Sequence, residues 1–266
     1  MRLARWLLIG VGILAPLVVV AQDTNISMSP VSAPDPRLAV PFGIGERADY
    51  QVKYGPFSVG RGSMEVVGID TVRGRETWHT LFRVRGGIPG FRVDNRMESW
   101  IDTRTLASLR HWQELDEGPN ERERRYEIFP DSVFVQDGRE PLPTVELPLD
   151  DGSFLYFVRT IPLEVGQEYS FDRYFKPDRN PVRFQVLRRE RISVPAGTFE
   201  TVVIRPIIKS RGVFAENGRA EVWVTDDDKR IMVQLKTKLS LGSLSLHLRS
   251  YTPHKPASDS SAVAKR

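Results

Sequence analysis

The side chains that could do chemistry are few and poorly spaced for it. The four histidines, His79, His111, His247 and His254, lie outside metal-ligand spacing of one another, and neither H-E-x-x-H nor G-x-S-x-G occurs. With no cysteine there is no thiolate ligand, thiol nucleophile or disulfide. Asp226-Asp227-Asp228 lacks the spaced ligand set of a calcium loop and reads as a solvated turn. Asp94 and Glu98 share one face of an extended segment, the residue types a carboxylate-based hydrolase needs. Such a pair works only at a defined separation in space, which spacing along the chain does not set. No metal and no cofactor is expected.

Tyr156 and Arg159 are the candidate ligand-binding residues. They stand three apart on the polar side of a short amphipathic helix, whose apolar positions Phe154, Phe157, Val158 and Ile161 are spaced i, i+3, i+4, i+7. Asp150 and Asp151 precede it as helix-capping charges, and Pro162 stops it, so it should run over about 153–161. Two roles stay open for the pair. One is a hydrogen bond that docks the helix. The other is a clamp for an anionic headgroup at the mouth of a barrel, because guanidinium forms bidentate contacts with phosphate or carboxylate.

What must position this helix is almost entirely strand. Ala48, Tyr50, Val52 and Tyr54 alternate with polar residues, and Phe57–Ile69 follows with Gly60 and Gly62 marking a bulge or sharp bend. Trp78 to Val84, then Phe91–Asp102, Leu106–Trp112, Arg122–Phe129 and Ser132–Gln136 continue the series. After the helix come Glu168–Phe175, the alternating Val182, Phe184 and Val186, a central strand in Glu200–Lys209, and Glu221–Thr225. Ile231–Tyr251 closes the chain as a hairpin. Its apolar parity flips at Gly242-Ser243, which predicts a two-residue turn with Leu241 facing Leu244, Leu239 facing Leu246 and Thr237 facing Leu248. Lys236 would then face Arg249, and Lys238 would face His247. One face of the hairpin becomes a leucine wall.

Residues 1–21 read as a secretory signal, with Arg2 and Arg5 before the apolar run Trp6–Val20 and cleavage after Ala21. The alternative is a retained anchor. Residues 22–44 form a Pro- and Ser-rich flexible linker, 45–251 one β domain, and 252–266 a polar, disordered tail. No other stretch is apolar enough to span a bilayer, so no transmembrane span is expected once the signal is removed. The net charge is +4; without Arg2 and Arg5, 36 of the 38 basic residues face 34 acidic ones. That balance, with export, argues against nucleic acid and leaves a weak attraction to anionic lipid or polysaccharide.

The helix Ser153–Arg159 (SFLYFVR), the turn Val194–Thr201 (VPAGTFET), Val222–Thr225 and the closing hairpin together resemble the bacterial domain-of-unknown-function family 3108. The likeness reaches back, more loosely, to about Gly45. The resemblance implies an exported protein with no activity to carry over. It also implies an all-β fold: one strongly curved antiparallel sheet or partial barrel with one short helix packed against it, loosely similar to periplasmic lipoprotein carriers. The expected function is that of a non-catalytic cell-envelope protein, periplasmic and either soluble or peripheral to the membrane, binding a lipid or other amphiphilic ligand in the curved sheet. The competing reading is a structural or interaction module with a sealed core and an envelope protein as partner. A carboxylate-based hydrolase is the third.

Overall fold

The computed structural model describes residues 38–207, 220–238 and 243–254. The expected signal, most of the linker and the tail beyond residue 254 lie outside them. Alternation of apolar and polar residues forms strands along nearly the whole described chain. They are β1 (Arg47–Tyr54), β2 (Phe57–Val72), β3 (Arg75–Ile88), β4 (Phe91–Asp102), β5 (Ser108–Glu117), β6 (Asn120–Phe129), β7 (Val133–Gln136) and β8 (Leu142–Pro143). After helix α1 (Ser153–Val158) follow β9 (Glu168–Phe171), β10 (Val182–Val194), β11 (Gly197–Ile207), β12 (Glu221–Thr225), β13 (Met232–Lys238) and β14 (Ser243–Thr252).

These strands make one antiparallel sheet of fourteen, in the order β8-β7-β6-β5-β4-β3-β2-β1-β14-β13-β12-β11-β10-β9. Consecutive strands are neighbours except β8 and β9, which form the two edges, and the last strand returns beside the first, Val52 opposite Leu246. The two edges do not pair, so the sheet is a curled, open barrel. Segments next to those edges touch instead. Leu149 and Tyr174 form a parallel bridge, and the Thr144 hydroxyl donates to the Phe175 carbonyl. The expected class, a curved all-β sheet with one short helix, is the fold observed.

Curvature comes from bulges and glycines. Register shifts fall beside Val52 on the β1–β2 ladder and between Val66 and Gly68 on β2–β3. Gly60 and Gly86 sit opposite each other so closely that a Cβ on Gly60 would lie 2.1 Å from the Arg85 carbonyl oxygen. One on Gly86 would lie 2.3 Å from that of Val59. Any side chain there would push β2 and β3 apart, which is why glycine stands at both.

The inner face holds one apolar core. Ala48, Val66, Phe184, Ile204 and Leu248 reach it from strands across the sheet, and α1 supplies Phe154, Tyr156, Phe157 and Val158. Phe154 packs edge-on to Phe184 and Phe157 edge-on to Phe171. The helix is shorter than the periodicity predicts. Beyond Val158 the N–H groups of Thr160 and Ile161 bond to carbonyls three residues back, so the last turn tightens before Pro162. Phe42, ahead of the predicted domain start at Gly45, is buried and packs edge-on against Trp78 and Tyr156.

The closing hairpin differs from expectation in register. Thr237 faces Leu244, Leu235 faces Leu246, Gln234 faces His247 and Lys236 faces Ser245, a slip of four from the predicted pairing. Leu239–Gly242, and with them the predicted turn, lie outside the described residues. An even slip leaves every side chain on its predicted face, so Leu235, Leu246 and Leu248 still line the core. Alternation therefore could not choose between the two registers.

Candidate functional site

Arg159, at the C-terminal end of α1, is not solvent-facing. It is buried together with Glu46, and its Nη1 lies 2.5 Å from Glu46 Oε1. Nη2 donates to Glu46 Oε2 (3.1 Å) and to the Pro41 carbonyl (3.0 Å), and Nε to the Lys229 carbonyl (3.1 Å). All three guanidinium nitrogens are thus engaged with protein acceptors. The Tyr251 hydroxyl donates to Glu46 Oε2 at 3.1 Å. Burial alone would lower the Arg159 pKa; the hydrogen bond and charge of Glu46 more than offset it, so the guanidinium is held ionised. Tyr156 is also buried, and burial pushes its phenol up, with Arg159 opposing. The predicted site residues are therefore together, but on a buried face rather than on the polar side of the helix. The reason is Glu46, a counter-charge just ahead of β1 and far away in sequence.

A cavity of about 20 Å3 adjoins them, lined among others by Tyr50, Met64, Leu155, Ile204 and Met232. That is room for about one water molecule.

At the other end of α1, Asp150 is fully buried. Its Oδ1 accepts from the Gly152 and Ser153 amides, both at 2.8 Å, and from the Ser99 hydroxyl at 2.6 Å. Its Oδ2 accepts from the Ser108 hydroxyl. The predicted capping charge thus also ties the helix to β4 and β5. Buried His111 stands beside it, its Nδ1 2.8 Å from the Glu98 carbonyl and 3.5 Å from Asp150 Oδ1. Serine, histidine and aspartate meet here without the order of a hydrolytic triad. The Ser99 hydroxyl donates straight to the carboxylate at 2.6 Å, and His111 Nδ1 lies 3.4 Å from that hydroxyl but closer, at 2.8 Å, to the Glu98 carbonyl, so the aspartate bonds the serine directly instead of orienting the histidine toward it. All three side chains are closed to solvent.

The remaining candidates are paired. Asp94 is held by Arg83 and Arg85, and Glu98 by His79 and Arg96. Asp227 accepts from Thr225 and from the Lys229 and Arg230 amides, the bonds of a turn. Among the described residues no cluster of three histidine or carboxylate side chains could hold a metal.

One constellation had no signal in the sequence. Lys176 Nζ lies 4.5 Å from the ring centre of Tyr126, 5.2 Å from Phe175 and 5.7 Å from Phe134, and donates to the Tyr126 hydroxyl at 3.2 Å. Burial, with Arg179 and Arg124 nearby, lowers its pKa to about 8, against the pull of the ring faces. Between about pH 8 and 10 the unfolded chain therefore binds more protons at this lysine, and its contribution to stability rises with pH. Above pH 10 the buried tyrosines, whose pKa values are raised, act in the opposite direction. Lys176→Met should flatten the rise in a series of urea melts across pH 8–10; an undiminished rise would assign it to another group.

No curated protein matches the chain. Among solved structures it is similar to a β-barrel-like protein of domain of unknown function DUF1849 from Brucella abortus. That likeness covers 82% of this chain and 100% of the other at 12% identity, with a TM-score of 0.52, and it concerns the fold alone. A weaker likeness, with a TM-score of 0.37 and 11% identity over 80% of this chain and 98% of the other, is to a protein from Parabacteroides distasonis described as a "putative lipoprotein". The family model described as "Protein of unknown function (DUF3108)" matches residues 49–249, nearly the whole described sheet, and the chain belongs to that family.

Proposed function

We propose that this protein is a non-catalytic module of the cell envelope whose sheet interior is sealed by its own helix, and which acts through its outer surface. The observation that carries this reading is the interior beside Arg159. A site for a lipid chain needs a cavity of several hundred Å3, and the space there is about 20 Å3. Tyr156 and Arg159 then serve to dock α1, since a guanidinium with every nitrogen bonded to protein has no free fork for a headgroup. The envelope location follows from the signal-like residues 1–21, and no helix among the described residues is long and apolar enough to cross a membrane. Addition of phosphatidylcholine in large excess should leave the melting temperature unchanged, because a ligand that binds only the folded state must raise it and a zwitterionic headgroup offers a basic outer surface no net charge to hold. A rise that grows with ligand concentration would mean that the interior opens.

A further inference from the structure

The seam where the two sheet edges come together gathers three cations. Residues 174–180 cross it, closed into a loop by Asn180, whose Oδ1 accepts from the Tyr174 amide at 2.7 Å and whose Nδ2 donates to the Tyr174 carbonyl at 3.0 Å. That loop carries Lys176 and Arg179. Arg124 comes from β6, two residues before Tyr126 and four before Ile128. Both of those lie in the core, so Arg124 takes the same inner face. All three cations are half-buried. Arg124 and Arg179 lie close enough to Lys176 to oppose its charge, and both also act on the Tyr126 phenol.

Arginines on the outer face of the neighbouring strands are matched: Arg83 and Arg85 with Asp94, Arg110 with Glu127, Arg125 with Glu123. Arg124, Lys176 and Arg179 make no ion pair among the described residues. The carboxylates around them are engaged otherwise. Asp151 accepts from the Tyr174 hydroxyl at 3.1 Å and from the Gln113 side-chain amide at 2.8 Å. Asp137 accepts from the Arg125 amide and the Gln136 side chain. Asp178 is exposed and stays beyond ion-pair distance of all three.

Like charges brought together on a half-buried face repel one another unless an anion is held between them. The donors for one are present. The Arg124 guanidinium makes no hydrogen bond among the described residues. Arg179 uses only Nη1, on the Tyr174 hydroxyl at 3.3 Å, and Lys176 one N–H, on the Tyr126 hydroxyl at 3.2 Å. Two planar forks and an ammonium form a donor set suited to a phosphate group. Three positive charges around Asp151 leave an excess that a dianionic phosphate monoester neutralises better than a carboxylate or a phosphodiester.

We infer that Arg124, Lys176 and Arg179 form a binding site for a phosphate monoester at the seam of the sheet. This goes beyond the sealed-module reading and does not rest on it, since the small cavity beside Arg159 is lined by other residues.

The test is a melting-temperature titration of the purified protein with inorganic phosphate at neutral pH, beside acetate and chloride at the same ionic strength. Phosphate should raise the melting temperature saturably, and the other two salts should not. Arg124→Gln removes no bond of the fold, so it should melt as the wild type does and bind phosphate about 10-fold more weakly. Arg179→Gln should do the same and keeps the inference testable if one variant folds poorly. The titration midpoint of Lys176, followed by carbon NMR at Cε, should move up from about 8 in saturating phosphate, because a bound dianion favours the ammonium. An equal rise with all three salts would mean ionic strength alone and overturn the site. Undiminished phosphate binding by the two folded variants, or an unmoved Lys176 midpoint, would overturn it as well. Glycerol phosphate and dihexanoyl phosphatidic acid then separate two sources of the same group: equal affinity supports a soluble ester, and tighter binding of the phosphatidic acid supports a lipid headgroup. The phosphatidylcholine test of the interior stays separate, because that lipid carries a diester.

Discussion

Arg159→Ala is expected to destabilise the fold by about 3–5 kcal/mol, the range for breaking a buried ion pair from one side. Among the described residues the variant leaves buried Glu46 with the Tyr251 hydroxyl at 3.1 Å and His254 at 3.9 Å as its side-chain neighbours. It also removes the donors to the Pro41 and Lys229 carbonyls, so the segment before β1 and the turn before β13 each lose hydrogen bonds to α1. Arg159→Lys should fall between, because an ammonium can reach Glu46 but cannot supply the planar fork that also serves two carbonyls. Removing both charges with Arg159→Met and Glu46→Gln should cost less than the sum of the two single changes, as expected for partners in direct contact. Urea denaturation of the wild type, the four single variants and the double variant measures all of this. A headgroup clamp predicts the reverse, an unchanged stability in Arg159→Ala with loss of bound amphiphile.

The second large effect is expected at Asp150. Asp150→Ala strands the Ser99 and Ser108 hydroxyls and the Gly152 and Ser153 amides, all directed at one buried carboxylate. Unsatisfied buried groups cost about 1–3 kcal/mol each, and a total of about 3–5 kcal/mol allows for relaxation and entering water. Asp150→Asn keeps the shape and one acceptor oxygen and should lose roughly half as much. Hydrogen exchange gives the change its location. The amides of Gly152 to Val158 should exchange faster than those of β11 in the alanine variant, because the tether that anchors the start of α1 is gone. Uniform acceleration across the sheet would show that Asp150 supports the fold as a whole.

Much of the sheet was legible in the chain. β4 has the bounds the alternation predicts, Phe91–Asp102, and the stretch apolar on both faces proves to be β11, where Thr201 to Ile204 are all buried between β10 and β12. Period-two patterning reports which face a residue takes, and it did so correctly even where the β13–β14 register slipped by four. Register and partners are different matters, because they depend on what lies across the ladder. Arg159 could be placed on the helix but not paired, since Glu46 stands 113 positions earlier and nothing local distinguishes it from a surface glutamate. Asp150 was legible as a cap, while its two hydroxyl partners on β4 and β5 were not. Lys176 was invisible for the same reason: two of its three rings, Tyr126 and Phe134, come from strands on the far side of the helix in sequence.

The sealed interior is tested most directly by native mass spectrometry of the protein purified from an envelope fraction and washed at high salt, which strips lipid held only at the surface. The account predicts the mass of the polypeptide alone, in wild type and in Arg159→Lys alike. A stoichiometric added mass of lipid size, lost in Arg159→Ala, would contradict it. That result would place a ligand inside the barrel beside Arg159.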